Sequence, residues 1–176
     1  AVTPISLAAN DSTVALGTGN GIHLINIRNP DAPKQISLIP GFGAGVYLAD
    51  TLLYSVLFSD TTDFSIYSLS DPRQPIRLGS TQVGLHGISW LNVAVSRGFA
   101  YFDGYALSVS DPSRPGTAGY IPPDEFVYGI SAKDQYVYET DDLGVHIIRN
   151  SLITSVPGKQ RVIPNEFGLE QNYPNP

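Results

Sequence analysis

The sequence has no cysteine, few charges and no long apolar run, and each absence removes a class of explanation. Without cysteine there are no disulfides, no thiolate metal ligands and no cysteine nucleophile. Only 15% of residues are charged, well below the usual share of about a quarter. Ten Lys and Arg stand against 16 Asp and Glu, giving a net charge of −6 and a pI near 4.8. Nucleic acid is therefore not expected as a partner, because affinity for it comes from basic side chains that neutralise phosphates. No segment approaches the ~18 continuous apolar residues of a membrane span. No charged-then-apolar leader follows Ala1, so a signal peptide is expected to have been removed or to lie upstream. No stretch sustains a 3.6-residue period, so almost no helix is expected.

What the chain does contain is turn chemistry and short alternating strands. Seventeen Gly and 14 Pro accompany a hydrophobic content of 42%, enough for a real core in 176 residues. Three segments share a turn: Asn29-Pro30-Asp31-Ala32-Pro33, Asp71-Pro72-Arg73-Gln74-Pro75 and Asp111-Pro112-Ser113-Arg114-Pro115, with first prolines 42 and then 40 residues apart. Each follows an alternating strand: Ile22 to Ile27, Phe64 to Leu69 and Tyr105 to Val109. A fourth copy, Gly144 to Asn150, keeps the strand without the prolines. Gly45-Val46, Gly87-Ile88 and Gly129-Ile130 recur at 42-residue intervals, each expected to open a first strand, with Ile5-Ser6-Leu7 in that place in the first unit. Second strands are expected at Thr13–Leu16, Leu53–Val56, Phe99–Phe102 and Tyr136–Tyr138. Fourth strands follow the turns, ending with Leu152–Val156. Four short antiparallel strands per unit of about 40 residues is the pattern of a propeller blade, and one twisted sheet must stack on neighbours to bury its faces. The fold class read from this is all-β: a β-propeller of four blade-like repeats at about 1–41, 42–83, 84–124 and 125–157, with residues 158–176 as linker and tail.

The strand followed by Asp-Pro-x-x-Pro resembles the LVIVD repeat of exported bacterial and archaeal β-propellers, over roughly residues 1–157. Ser70-Asp71-Pro72 and Ser110-Asp111-Pro112 keep that repeat's ending, while Arg28-Asn29-Pro30 departs from it. The resemblance implies a fold and an exported location but no single activity. The tail, with Phe167, Leu169, Gln171, Asn172, Tyr173, Pro174, Asn175 and Pro176, resembles the opening of the C-terminal sorting domain of type IX secretion. It implies a secreted or cell-surface protein handled by that machinery, in a chain cut or processed where the domain begins.

Propellers close with about four to eight blades, so four units form either a closed ring or part of a seven- or eight-bladed one. An open arc leaves two hydrophobic blade faces, expected to be covered by copies of the chain or by the missing half of the propeller. Ligands are expected where the second-to-third-strand hairpins meet the inter-blade loops. There His86 and Tyr128 share a repeat position with Ala44, joined by Asp124 and Glu125. Recognition of protein or glycan is expected on that face. Asp60, Asp63, Asp141 and Asp142 are the acids that could hold Ca²⁺, but none has calcium-loop spacing, and turn chemistry accounts for most of them. No cofactor is therefore expected. His23 and His146 share a third-strand position and read as structural. Ser89 and Ser131 beside His86 and Asp50 have no nucleophile-elbow motif, so no catalytic residue is assigned. A non-catalytic interaction or structural module ranks first. Its rivals are a polysaccharide lyase or hydrolase working at the channel, and a structural subunit of an extracellular filament.

Overall fold

Runs of Val, Ile, Leu, Tyr and Phe between Asn, Asp and Gly turns build antiparallel hairpins one after another. A computed structural model describes residues 3–58, 62–84, 92–121 and 127–153. Blade 1 comprises β1 (Pro4–Ala9), β2 (Thr13–Thr18), β3 (Gly21–Asn26) and β4 (Lys34–Pro40). Blade 2 comprises β5 (Phe42–Ala49), β6 (Leu52–Phe58), β7 (Thr62–Ser68) and β8 (Ile76–Gln82). Blade 3 is built from β9 (Ala94–Ser96), β10 (Phe99–Phe102), β11 (Tyr105–Ser108) and β12 (Gly116–Tyr120). Blade 4 has β13 (Gly129–Lys133), β14 (Tyr136–Asp141) and β15 (Gly144–Arg149). Strand order within every sheet follows the chain, so the molecule is an all-β, four-blade β-propeller arrangement with no helix among the described residues.

The blades stack through two cores. Ala15, Ile22 and Leu24 of blade 1 meet Val46, Leu53, Leu57, Tyr67 and Leu69 of blade 2. On the other face of blade 2, Tyr54, Val56, Phe64 and Ile66 meet Ala100, Phe102, Tyr105 and Leu107 of blade 3. Phe64 and Phe102 stack there, with centroids 5.6 Å apart and planes 3° from parallel. Neither core reaches across from blade 4 to blade 1, and no strand packing comparable to that between blades 1 and 2 joins them among the described residues.

The proline turns lie between third and fourth strands, as the spacing predicts. In each, the Asx side chain accepts the amide two residues on: Asn29 from Asp31 at 3.2 Å, Asp71 from Arg73 at 3.0 Å and Asp111 from Ser113 at 3.0 Å. The carbonyl of the same residue accepts the amide three residues on in all three turns. Proline after the Asx residue presets φ for this geometry. The turns also cross the blade boundary. Ser37 Oγ donates to the Pro72 carbonyl at 2.7 Å, and a Cβ on Gly79 would lie 2.6 Å from the Pro112 carbonyl oxygen. Ser37 and Gly79 are counterparts, each opposite a core residue, Leu24 and Ile66. The Asp71 and Asp111 turns therefore rest on the fourth strand of the preceding blade.

The described first strand of blade 3 is β9, and the strand expected to open at Gly87-Ile88 lies outside the described residues. Register makes Val95 the counterpart of Leu48 and Ala132, each paired with the second-strand residue that starts the core. In blade 4, Ser151 and Leu152 form a turn rather than Leu152 and Ile153 opening a fourth strand; the remainder of that expected strand, 154–156, lies outside the described residues. Asn150 takes over the Asx role, its Oδ1 accepting the Leu152 amide at 2.9 Å, so the chain bends two residues earlier than at the proline turns.

Candidate functional site

The second-to-third-strand hairpins share one face, and blade 4 places the best-defined side chains there. Tyr128 precedes β13; its amide donates to the Thr140 carbonyl at 2.8 Å, and its phenol donates to Asp142 Oδ1 at 2.7 Å. Its own carbonyl accepts from Asn92 Nδ2 at 3.1 Å, bridging blades 3 and 4. The residue is nevertheless 46% exposed. The backbone is anchored on both sides and the ring is tied by its hydroxyl, so the side chain has already given up part of the rotamer freedom that a partner would otherwise have to restrict.

Of the acids singled out in the sequence, Asp141 and Asp142 sit in the β14–β15 hairpin and Asp63 opens its part of β7 in blade 2. Asp60, Asp124, Glu125 and His86 lie outside the described residues, as do Phe167, Leu169 and the Gln171–Pro176 phrase. Asp141 performs turn chemistry: its Oδ1 accepts the amides of Leu143 at 2.8 Å and Gly144 at 3.0 Å, and its Oδ2 pairs with His146 Nε2 at 2.8 Å. Desolvation pushes its pKa up, but those backbone and histidine hydrogen bonds outweigh it and hold the carboxyl below its usual range. No group of three or more His, Asp or Glu side chains suited to a metal exists among the described residues. His23 is held by Gln35 and Asn20, at 2.9 and 3.0 Å. Asp50 sits in the β5–β6 turn at the end of the sheet away from the hairpin face. Glycine spacing pairs His86 with Tyr128 as repeat counterparts. The register that puts Val95 with Ala132 puts Val93, not Ile88, with Ile130.

One feature escaped the sequence: a cleft of about 490 Å³, counted out to open solvent, between blades 3 and 4. Tyr101, Tyr105 and Tyr120 line one wall, and Val137, Glu139 and Ile148 the other. Gly119, the counterpart of Ser37 and Gly79, also borders it. At the other two joints that position receives a proline turn; here the early Asn150 turn leaves it uncovered among the described residues. Asn150 instead spans the joint, its Nδ2 donating to the Tyr101 hydroxyl at 2.7 Å. Burial raises the Tyr101 pKa against the effect of that bond. Burial also raises the Glu139 carboxyl, with Asp103 and Asp141 adding to the effect and His146 opposing it. A carboxyl held nearer neutrality among tyrosines can donate a proton or a hydrogen bond.

No family model matches the chain, and no curated protein matches it. Solved structures do. The computationally designed Ika4 protein aligns over 85% of this chain and 91% of its own, at 15% identity and a TM-score of 0.57. A chain of the nidogen/laminin complex aligns over 84% of this chain and 60% of its own, at 11% identity and a TM-score of 0.61. A protein from Lactobacillus plantarum aligns over 83% of this chain and 51% of its own, at 14% identity and a TM-score of 0.61. At such identities the likeness is one of fold. The chain spans just over half the length of the last two, and together these structures place it among the β-propellers.

Proposed function

We propose that the chain is a non-catalytic, exported β-propeller serving as an interaction or structural module, engaging protein or glycan on its hairpin face. The observation that carries this reading is Tyr128, exposed yet tied through its hydroxyl to Asp142, with its backbone bonded to Thr140 and Asn92. Tyrosine gives a large contact area with little flexibility, and its face suits both sugar rings and protein surfaces. Export is supported by the likeness of the Ser-Asp-Pro turns to LVIVD repeats and of the tail phrase to a type IX sorting domain. The test is a glycan array and a surface-protein panel probed with the chain and with Tyr128→Ala, using Tyr136→Ala as the exposed-tyrosine control. Loss of binding in Tyr128→Ala alone supports the reading. Binding unchanged by that substitution, or turnover of a bound polysaccharide, overturns it.

A second reading, a carbohydrate-active enzyme, is favoured by Glu139, whose raised carboxyl could serve as an acid in the cleft. Release of reducing ends from a polysaccharide panel, abolished by Glu139→Gln, would establish it. Absence of release across the panel would reject it.

A further inference from the structure

The two terminal blade faces are halves of one and the same joint. The repeat register makes this comparison residue by residue. In blade 4, Ile147 pairs with Tyr138 and Val145 with Thr140. Leu24 paired with Ala15 in blade 1, and Ile66 paired with Tyr54 in blade 2, hold the place of Ile147 and Tyr138. Ile22 and Phe64, two residues earlier on their strands, hold the place of Val145. Ile22, Leu24, Phe64 and Ile66 are all 0% exposed, because the next blade covers them. Val145 and Ile147 are 66% and 60% exposed, with Tyr138 beside them. Blade 4 thus presents a face patterned for a following blade.

Blade 1 presents the complementary face. Val14 pairs with Ile25 and Leu16 with Leu7. Their counterparts in blade 2 are Leu53 with Tyr67 and Ser55 with Val46, which form the wall that receives blade 1. Leu7, where Val46 is 5% exposed, is 64% exposed. The chain therefore carries an uncovered donor face at one end and an uncovered receiving face at the other. Each is equivalent to a side already buried at an internal joint.

We propose that blade 4 of one copy packs on blade 1 of a second copy, repeating the internal blade 1–blade 2 joint head to tail and closing two arcs into one ring. Three observations favour a second copy as the occupant. The chain itself holds both matching faces, the internal joint supplies a working example of their fit, and the arc matches about half of a longer propeller chain. A head-to-tail joint closes into a ring when its rotation permits and otherwise propagates, and the fit to half a propeller favours closure.

The test is light scattering on size-exclusion of the chain, with a charge introduced on each face. The expected mass is twice the 18.9 kDa of one chain. Ile147→Lys and Leu7→Glu should each halve that mass while keeping the β-sheet circular dichroism spectrum, since both side chains are exposed in a single copy. Mixing the two variants should restore the doubled mass, because one joint is then native and the other sets lysine against glutamate. A wild-type monomer at every concentration overturns the proposal and assigns the faces to other blades. Open-ended polymers overturn ring closure. An oligomer indifferent to both substitutions, or a mixture that stays at single-chain mass, overturns the joint.

Discussion

Blade 2 and blade 4 follow the same strand plan and meet opposite fates. Blade 2 is covered on both sides, so Leu53 and Tyr54, adjacent in sequence and pointing opposite ways, are both buried. Its β6 reads as a nearly continuous apolar run, as strands with two covered faces do. Blade 4 is covered on one side, where Val137 is buried and Ile148 lines the cleft. Its other face is open, although β15 is as apolar as β7. The comparison separates two quantities that usually travel together: the hydrophobicity written into a strand, and the burial it receives from neighbours.

Substitution at matched positions can break that comparison, and the largest effect is expected in blade 2. Ile66→Ala should cost about 2–5 kcal/mol in urea unfolding, as a buried truncation that leaves a cavity. Ile147→Ala, its counterpart, should cost less than about 0.5 kcal/mol in dilute solution, as an exposed position. Equal losses would mean that blade 4 is covered in the single chain. Next comes Gly79→Ala, which drives a methyl into the Pro112 turn and should cost about 1–3 kcal/mol. Gly116→Ala meets nothing within 4 Å and should be neutral or slightly stabilising. Tyr101→Phe removes the acceptor of the Asn150 amide across the blade 3–4 joint, a loss of about 1 kcal/mol.

The smallest effect carries a sign that sharpens the contrast at the cleft. Glu139 ionises more readily in the unfolded chain, near its ordinary value of 4.5, than in the fold, where burial raises it. Folding is thus penalised above the folded pKa, and the penalty fades as pH falls toward the unfolded one. Glu139→Gln should raise the melting temperature near neutral pH and lose that advantage in acid. A gain independent of pH would locate its cause elsewhere.

What could be read from the residues followed how local the controlling chemistry was. The Asn29, Asp71 and Asp111 turns were legible because an Asx side chain followed by proline dictates its own geometry within four residues. The sheets were legible because alternation and turn spacing agree. Spacing alone did not locate β9, whose register is set by pairing with Ala100 and Tyr101. Which side of each strand meets which neighbour was not legible, since an apolar residue on either face looks the same in sequence. The anchoring of Tyr128 by Asn92 and the open cleft beside Gly119 depend on how two blades meet, and no spacing records that. The loop-face reading singled out Tyr128 together with His86, which lies outside the described residues.

The turns that rest on the preceding blade have a consequence for how such a protein can be cut and recombined. Ser37 and Gly79 each lie on the fourth strand of their own sheet, but what covers each belongs to the next repeat. A cut at the edge of a sheet therefore separates a landing place from the loop that occupies it. The transferable module is offset from the visible blade: it begins with the fourth strand of one sheet and ends after the proline turn that follows the third strand of the next. A graft or duplication made at that offset boundary carries its landing place with its loop, whereas one made at the sheet boundary must rebuild the match by mutation.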